Sequence, residues 1–441
     1  MPRSKSRKSQ RSPAPAPTIS SPPSREPLLR RIPWLPVAIT LIVLITAAFT
    51  VPSVRDAVTL GDVNEAHLET PAAYLALGPL SSILDTLTLL TVGQHIAVGL
   101  WIIGTFVLVR VLLARRGTSI RREAIAAVVF LVLLVGTYAF GALVPRPMAR
   151  LAVTDLVGVL AVDFHAHTKY SHDGRPGWTE DDVRDWYRSA GYDVVYITDH
   201  RSFEGAERGV AANPPQAGQG TMIFQGLEAF YRGEHVNILS AGRRYKGLTT
   251  DDLKDVDGQS LMLANLVQVS APVIIETIPG NLSRVPTPAD SGGGVTAIEI
   301  VDGSPRGLSQ TRRDRARIIK LADSLNLAYV TGTDNHGWGR TAPGWTLLRI
   351  PGWRGMGGDS LSRRIEDILR RGRRESTRTV ERRVADGTTP LSLALAGPLV
   401  AWRMLTTLGP DERVMWLVWT WALVAIARGL RRYRIQPSAT A

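Results

Sequence analysis

The sequence predicts an α/β domain of barrel type set among membrane-spanning helices. Three observations predict it. Strand-like and helix-like pieces alternate over residues 151–351, the pattern of strands wrapped by crossover helices. Six of the eight histidines fall between residues 165 and 336, most of them just after a candidate strand. Long uncharged apolar runs flank this polar middle on both sides, so the near-zero mean hydropathy is an average over two populations.

Residues 1–31 are rich in Pro, Ser, Arg and Lys with almost no large apolar residues, a composition that cannot build a core. A disordered basic tail over 1–32 is therefore expected. Pro33–Val51 follows as an uncharged run of about spanning length, with further candidate spans over His95–Leu113 and Ala124–Val144. A long basic tail and the lack of a clean small-residue cleavage site argue against a signal peptide. Residues 72–92 are also apolar, but Pro79, Asp85 and the neighbouring acids favour a re-entrant or interfacial helix over a span. Eight Lys/Arg precede the first span, and Arg110, Arg115, Arg116, Arg121 and Arg122 join the second and third. The loop between the first two spans has Arg55 against Asp56, Asp62, Glu65, Glu69 and Asp85. The positive-inside rule then places the N-terminus in the cytoplasm and the middle domain outside. A membrane region with about three helices is thus expected over 33–149.

After the middle domain, the Arg-rich stretch 363–383 predicts an amphipathic helix, lying either near lipid headgroups or on a solvated surface. It makes 353–388 a basic linker. Pro390–Leu408 and Val414–Ala427 predict one or two membrane helices within 389–430, followed by a tail over 431–441. The formal charge of +13 sits largely in Arg clusters beside apolar runs, so a membrane explains it and no specific nucleic-acid partner is expected. The chain has no cysteine, which excludes disulfides, thiolate metal sites and cysteine nucleophiles.

Within the middle domain the candidate strands are Val157–Phe164, Asp193–Thr198, Met222–Gln225, Val236–Ser240, Val273–Thr277, Ala297–Val301, Ala328–Thr331 and Thr346–Ile350. Thr179-Glu180-Asp181-Asp182 reads as a capping box opening a helix that ends near Gly191. Imidazole and carboxylate candidates recur along the strands: His165-Ala-His167, His172-Asp173, Asp199-His200, Glu228, His235 and Asp334-Asn-His336. Imidazole and carboxylate suit zinc, manganese and iron. Alone, each cluster is weak: Asp199-His200 is equally a hydrogen-bonded core pair, and Glu228 an ion-pair partner. Their recurrence at several strand ends points to a multinuclear metal site.

The run Asp163-Phe164-His165-Ala166-His167-Thr168, then Asp173-Gly174, then Gly191-Tyr192-Asp193 leading into Ile197-Thr198-Asp199-His200, resembles the PHP domain (polymerase and histidinol phosphatase). Gly226-Leu227-Glu228, His235 and Asp334-x-His336 fit the same order, so the resemblance covers roughly 158–340. It implies a distorted seven-stranded β/α barrel, up to three divalent metals and phosphoester hydrolysis. It also implies that His165 and His167 hold a first metal and that Glu228 bridges two. His200 and His235 then hold the second and third ions, and Asp334 and His336 close the site. Two departures matter. His172 and Asp173 compete for one ligand position, and Ile278 stands where the family often has a histidine before proline. The site therefore holds two metals, or Glu276 substitutes.

With the apolar runs, the resemblance implies a membrane-anchored metal-dependent phosphoesterase domain over 150–352. Its nucleophile would be a metal-bound hydroxide, with Asp199 orienting a ligand and Arg201, Arg284 and Arg306 as phosphate contacts. A metal-dependent amide hydrolase and a non-catalytic metal-binding membrane sensor or scaffold are the competing readings.

Overall fold

The computed structural model of the protein describes residues 33–113, 119–155, 158–231, 233–239, 273–287, 294–339 and 341–435. The expected tail 1–32, Arg115 and Arg116 of the loop between the second and third spans, and the residues after 435 lie outside the described residues.

A ten-stranded mixed sheet forms the centre of the α/β part. Its spatial order is β1 (Val54–Asp56), β12 (Arg378–Arg382), β11 (Gly344–Arg349), β4 (Val159–Ala166), β5 (Val194–Ile197), β6 (Met222–Tyr231), β7 (Glu234–Leu239), β8 (Val273–Glu276), β9 (Ala297–Asp302) and β10 (Ala328–Gly332). A second, two-stranded sheet pairs β2 (Ala66–Glu69) with β3 (Arg150–Val153). All eight expected strands are present. The sheet is nevertheless not the simple parallel arrangement that alternation implies. Neighbours from β4 to β6 and from β8 to β10 are parallel, whereas β6/β7, β7/β8, β4/β11, β11/β12 and β1/β12 are antiparallel. The turn at Gly233 (φ 87°) makes β6 and β7 a hairpin, which antiparallel pairing requires.

The sheet curls back on itself. Beyond β10, Asp334 N–H donates to His165 O and His167 N–H donates to Asn335 O, both at 3.0 Å. Beside them the buried Asp163 carboxylate accepts from Thr333 N–H (3.0 Å) and Thr333 Oγ1 (2.9 Å). The residues following β10 are thereby laid along the end of β4. Both faces of β4 are covered. Leu160, Val162 and Phe164 pack with Tyr196, Ile275 and Val330, and Ala161 and Ala166 pack in a second cluster with Trp186 and Tyr187. This double burial is why the strands read as continuous apolar runs.

Five helices precede β3: α1 (Trp34–Ala47), α2 (Ala72–Leu77), α3 (Pro79–Leu87), α4 (Val92–Leu113) and α5 (Ile120–Leu143). The α/β part holds α6 (Glu180–Ala190), α7 (Glu204–Ala211), α8 (Pro305–Leu308), α9 (Arg312–Ser324) and α10 (Gly358–Gly372), and the chain closes with α11 (Pro390–Ala394), α12 (Ala396–Thr407) and α13 (Pro410–Ile435). The capping box of α6 forms as expected, with Thr179 and Asp182 bonded reciprocally and Gly191 in the left-handed C-cap.

Three helices are long and apolar enough to cross a membrane: Val92–Leu112, Ile120–Leu143 and Pro410–Leu430. The first expected span forms a helix of only 14 residues, short of the roughly 20 that a bilayer core requires. Residues 72–92 break at Gly78 (φ 52°) into helices of 6 and 9 residues, neither long enough to cross. At the C-terminus two short helices precede one long one, so the described residues contain a single long C-terminal helix and not a hairpin of two.

The expected linker 353–388 belongs to the α/β fold. Leu361, Ile365 and Leu369 of α10 are buried in the core against the sheet, and only the arginine face is exposed. Its apolar stripe is covered by strands and not by lipid. β12 pairs with β1, so the expected loop 53–92 also contributes a strand. Asp85 of α3 joins the two regions. It pairs with Arg146, just after α5, and with Arg382 Nη1 of β12 at 3.1 Å, and accepts from Thr341 Oγ1 at 3.0 Å.

Candidate metal centre

The expected ligands come together at the C-terminal ends of β4, β5 and β10 and along β6 and β7. Glu228 is the hub. Its Oε2 lies 3.0 Å from His165 Nε2, 3.1 Å from His167 Nε2 and 3.2 Å from His200 Nε2, and its Oε1 lies 2.5 Å from His235 Nδ1. Asp334 Oδ1 approaches His165 Nε2 and His336 Nδ1 (both 3.4 Å) and His167 Nε2 (3.5 Å). Asp334 sits at φ 47°, an uncommon conformation for a non-glycine residue, which the two backbone bonds to β4 sustain.

Ligand atoms gather into four sets, each close enough to hold one ion. One is His165, His167, Glu228 and Asp334; a second is His167, Asp173 and His336; a third is His200, Glu228 and His235; the fourth is His165, Glu299 and Asp302. The donor set fits a divalent metal on a further observation. His167 is fully buried, yet Nδ1 has no hydrogen bond, and Nε2 has none of good geometry despite the nearby carboxylates. A buried polar atom in that state demands a partner. Nitrogen and oxygen donors without sulfur match zinc, manganese or iron.

At the ambiguous position it is Asp173 and not His172 that faces the cluster. Asp173 Oδ2 lies 3.0 Å from His336 Nε2, and its Oδ1 accepts from Ser171 Oγ at 2.6 Å. His172 is exposed, its ring 5.0 Å from that of His200, and it joins none of the four sets. Asp173→Ala is expected to weaken metal binding by roughly 10–100-fold, whereas His172→Ala leaves it within about twofold. Metal titration of both variants checks this, and equal losses would contradict the assignment.

Asp199 is fully buried and anchors the turn after His167. Its Oδ1 accepts from Thr168 N–H at 2.5 Å and its Oδ2 from Thr168 Oγ1 at 2.6 Å, and burial pushes its carboxyl up to about 6. Ile278, at the expected histidine position, lies in the apolar core. Glu276 is buried with its carboxyl pushed well up by burial, and it belongs to none of the four sets. β8 therefore supplies no ligand to them. Arg201, Arg284 and Arg306 are exposed and stand outside the sets. Arg306 Nη1 pairs with Glu234 (3.2 Å), next to His235; Arg284 packs over Gly233; Arg201, at φ 59°, follows His200.

Two residues escaped the sequence reading. Glu299 Oε1 and Asp302 Oδ2 of β9 lie 3.1 and 3.6 Å from His165 Nδ1, opposite the face that meets Glu228. A carboxylate behind a ligating imidazole fixes its orientation and tautomer. The available signal was acids inside a strand whose other residues are all apolar, since buried acids need a reason.

Without metal, His165 and His167 lean toward protonation and His200 away from it. Burial lowers His165 and His167, but Glu228 and Glu299 hold His165 well above its ordinary value, and Asp334 and Glu228 bring His167 to about 10. Burial takes His200 down to about 4. An ion must displace protons from His165 and His167, so metal affinity is expected to fall as pH drops. Calorimetric titration in buffers of different ionisation enthalpy should show proton release; identical heats would contradict it.

No family model and no curated protein matches the chain. Among solved structures, PsfC from Pseudomonas syringae aligns at 17% identity over 60% of this chain and 99% of its own, with a TM-score of 0.34. A Bifidobacterium adolescentis protein named for a metal-dependent phosphoesterase aligns at 16% identity over 46% of this chain and 94% of its own, with a TM-score of 0.28. The lesion-specific endonuclease Q of Pyrococcus furiosus aligns at 16% identity over 43% of this chain, which spans 52% of its length, with a TM-score of 0.31.

Proposed function

We propose that this chain is a membrane-anchored, metal-dependent phosphoesterase. The carrying observation is the convergence of Glu228 with four histidines, flanked by Asp334, Asp173 and His336, in three overlapping ligand sets. Two or three zinc, manganese or iron ions fit these sets. Divalent ions there would neutralise phosphoryl oxygens and lower the pKa of a water toward about 7, so no serine or cysteine nucleophile is needed. The chain's own groups hold the arrangement. Glu299 and Asp302 orient His165 through Nδ1, Asp199 holds the turn after His167, and Asp163 fixes the segment leading to Asp334. Arg201 follows His200 in the chain, Arg284 packs over Gly233 and Arg306 pairs with Glu234 beside His235, and all three guanidinium groups are suited to phosphate oxygens. The strands β4 to β10 number seven, and the bonds from Asp334 and Asn335 to β4 support reading them as the barrel of the PHP resemblance.

Elemental analysis of the purified chain beside a panel of phosphoester and amide substrates tests this. Bound metal with phosphoester turnover is expected. Amide turnover alone would replace the reaction class, and stoichiometric metal without any turnover would favour a sensor or scaffold.

We assign the α/β part to the outer side of a bilayer from the positive-inside rule. A cysteine introduced at Gln216–Gln219, in a chain with none of its own, is expected to react with an impermeant thiol reagent on intact cells. Reaction only after lysis would reverse the assignment.

A further inference from the structure

Resting on the phosphoester reading, we propose that the substrate is a phosphoester carried by an amphiphile lying in the same bilayer as the protein, and not a freely diffusing one. The segment bearing His336 is seated directly on a membrane helix. Gly339 N–H donates to Ala142 O in the last turn of α5 at 2.7 Å, and a Cβ at Gly339 would lie 2.4 Å from Gly141 O, so only glycine allows this approach. Two residues on, Thr341 is tied to Asp85. His336 precedes Gly339 by three residues, which bounds the separation of their Cα atoms at about 11 Å. α5 has 24 residues, about 36 Å of helix, against a hydrocarbon core of about 30 Å, so its end lies at the headgroup level. The ligand cluster therefore stands at the membrane surface, with no stalk between.

The wall on that side suits a headgroup. A cavity of about 260 Å³ lies between the end of α5 and the loop after His336, lined by Arg146, Arg175, Trp178 and Trp338 and also by two acids, Asp182 and Asp185. Trp338 is 39% exposed, and the Arg175 guanidinium lies 5.5 Å from its ring centroid. Arg175 also bonds the ligand loop, its N–H donating to His336 O (2.9 Å) and its Nη1 to Gly337 O (3.0 Å). An indole with an adjacent guanidinium matches the chemistry of the headgroup layer. Asp173, two residues before Arg175, has a side chain that is 40% exposed, so the cluster is open to solvent on the side of this loop.

In the reaction, water adds to phosphorus and the P–O bond to the leaving alcohol breaks. The alcohol departs with a proton, and one product keeps the membrane anchor.

The full chain in phosphatidylcholine vesicles with manganese tests the proposal with two ester pairs. Each pair shares a reacting group and differs in the anchor: 4-nitrophenyl hexadecyl phosphate against 4-nitrophenyl ethyl phosphate, and dioleoyl phosphatidic acid against glycerol 3-phosphate. At equal bulk concentration, the anchored member of at least one pair is expected to react on the order of 10–100-fold faster, because confinement to the bilayer raises its effective concentration. Its rate should fall on dilution with phosphatidylcholine at constant bulk amount. Trp338→Ala should shrink the anchored-to-soluble ratio and Trp338→Tyr should largely keep it. Equal rates within both pairs, or no response to surface dilution, overturn the amphiphile and leave the phosphoesterase standing. Turnover of none of the four esters by metal-loaded protein overturns both.

Discussion

Glu228→Ala is expected to strip metal from the site and lower turnover by at least about three orders of magnitude, roughly 4 kcal/mol of transition-state stabilisation. Glu228 belongs to two of the ligand sets and touches His165, His167, His200 and His235. Alanine removes the only group common to those four imidazoles. Glu228→Gln keeps the shape and one oxygen donor but removes the charge, so it should retain weak binding and a small residual rate. Elemental analysis together with circular dichroism separates ligand loss from unfolding. Wild-type metal stoichiometry in a folded Glu228→Ala protein would refute the assignment of this residue as a shared ligand.

Asp85→Ala is expected to be the most destabilising single substitution outside the metal centre, by about 3–5 kcal/mol. Asp85 is 5% exposed and neutralises Arg146 and Arg382, both themselves buried, while accepting from Thr341. Alanine leaves two largely buried guanidinium groups without their carboxylate. Arg382 retains its bonds to Ala342 O and Ala149 O, so the damage should centre on the contact between α3, α5 and β12. Thermal unfolding in detergent and limited proteolysis at the junction measure the effect. Adding Arg146→Met to Asp85→Ala should recover part of the loss, because removing both charges costs less than stranding one. An unchanged melting temperature would mean that apolar packing, and not this ion pair, joins the two regions.

The local features of this chain were legible in its sequence. Seven of the eight expected strands form within two residues of their expected bounds, because an apolar run between turn residues states its own conformation, while β6 runs on to Tyr231, six residues past the expected end. The candidate ligands were legible for the same reason: His165 and His167, or Asp334 and His336, are chemically distinctive pairs at the end of an apolar run. Asp85 was read correctly as an obstacle to a span at 72–92, but its role as a hub was not, since both its arginine partners lie far along the chain.

What only the tertiary structure decided is what depends on distant partners. β1 and β12 are 3 and 5 residues long and pair across more than 300 residues, so neither carries enough local pattern to announce itself. The amphipathic face of α10 specified that something apolar must cover it, and only the packed sheet shows that the cover is protein. Glu299 and Asp302 read as ordinary acids until β9 is laid beside β10 and His165 turns its Nδ1 toward them. Residue type and local period determined which groups can bind a metal and where the strands run. Chain reversal and sheet curvature, set by long-range burial, decided which groups meet.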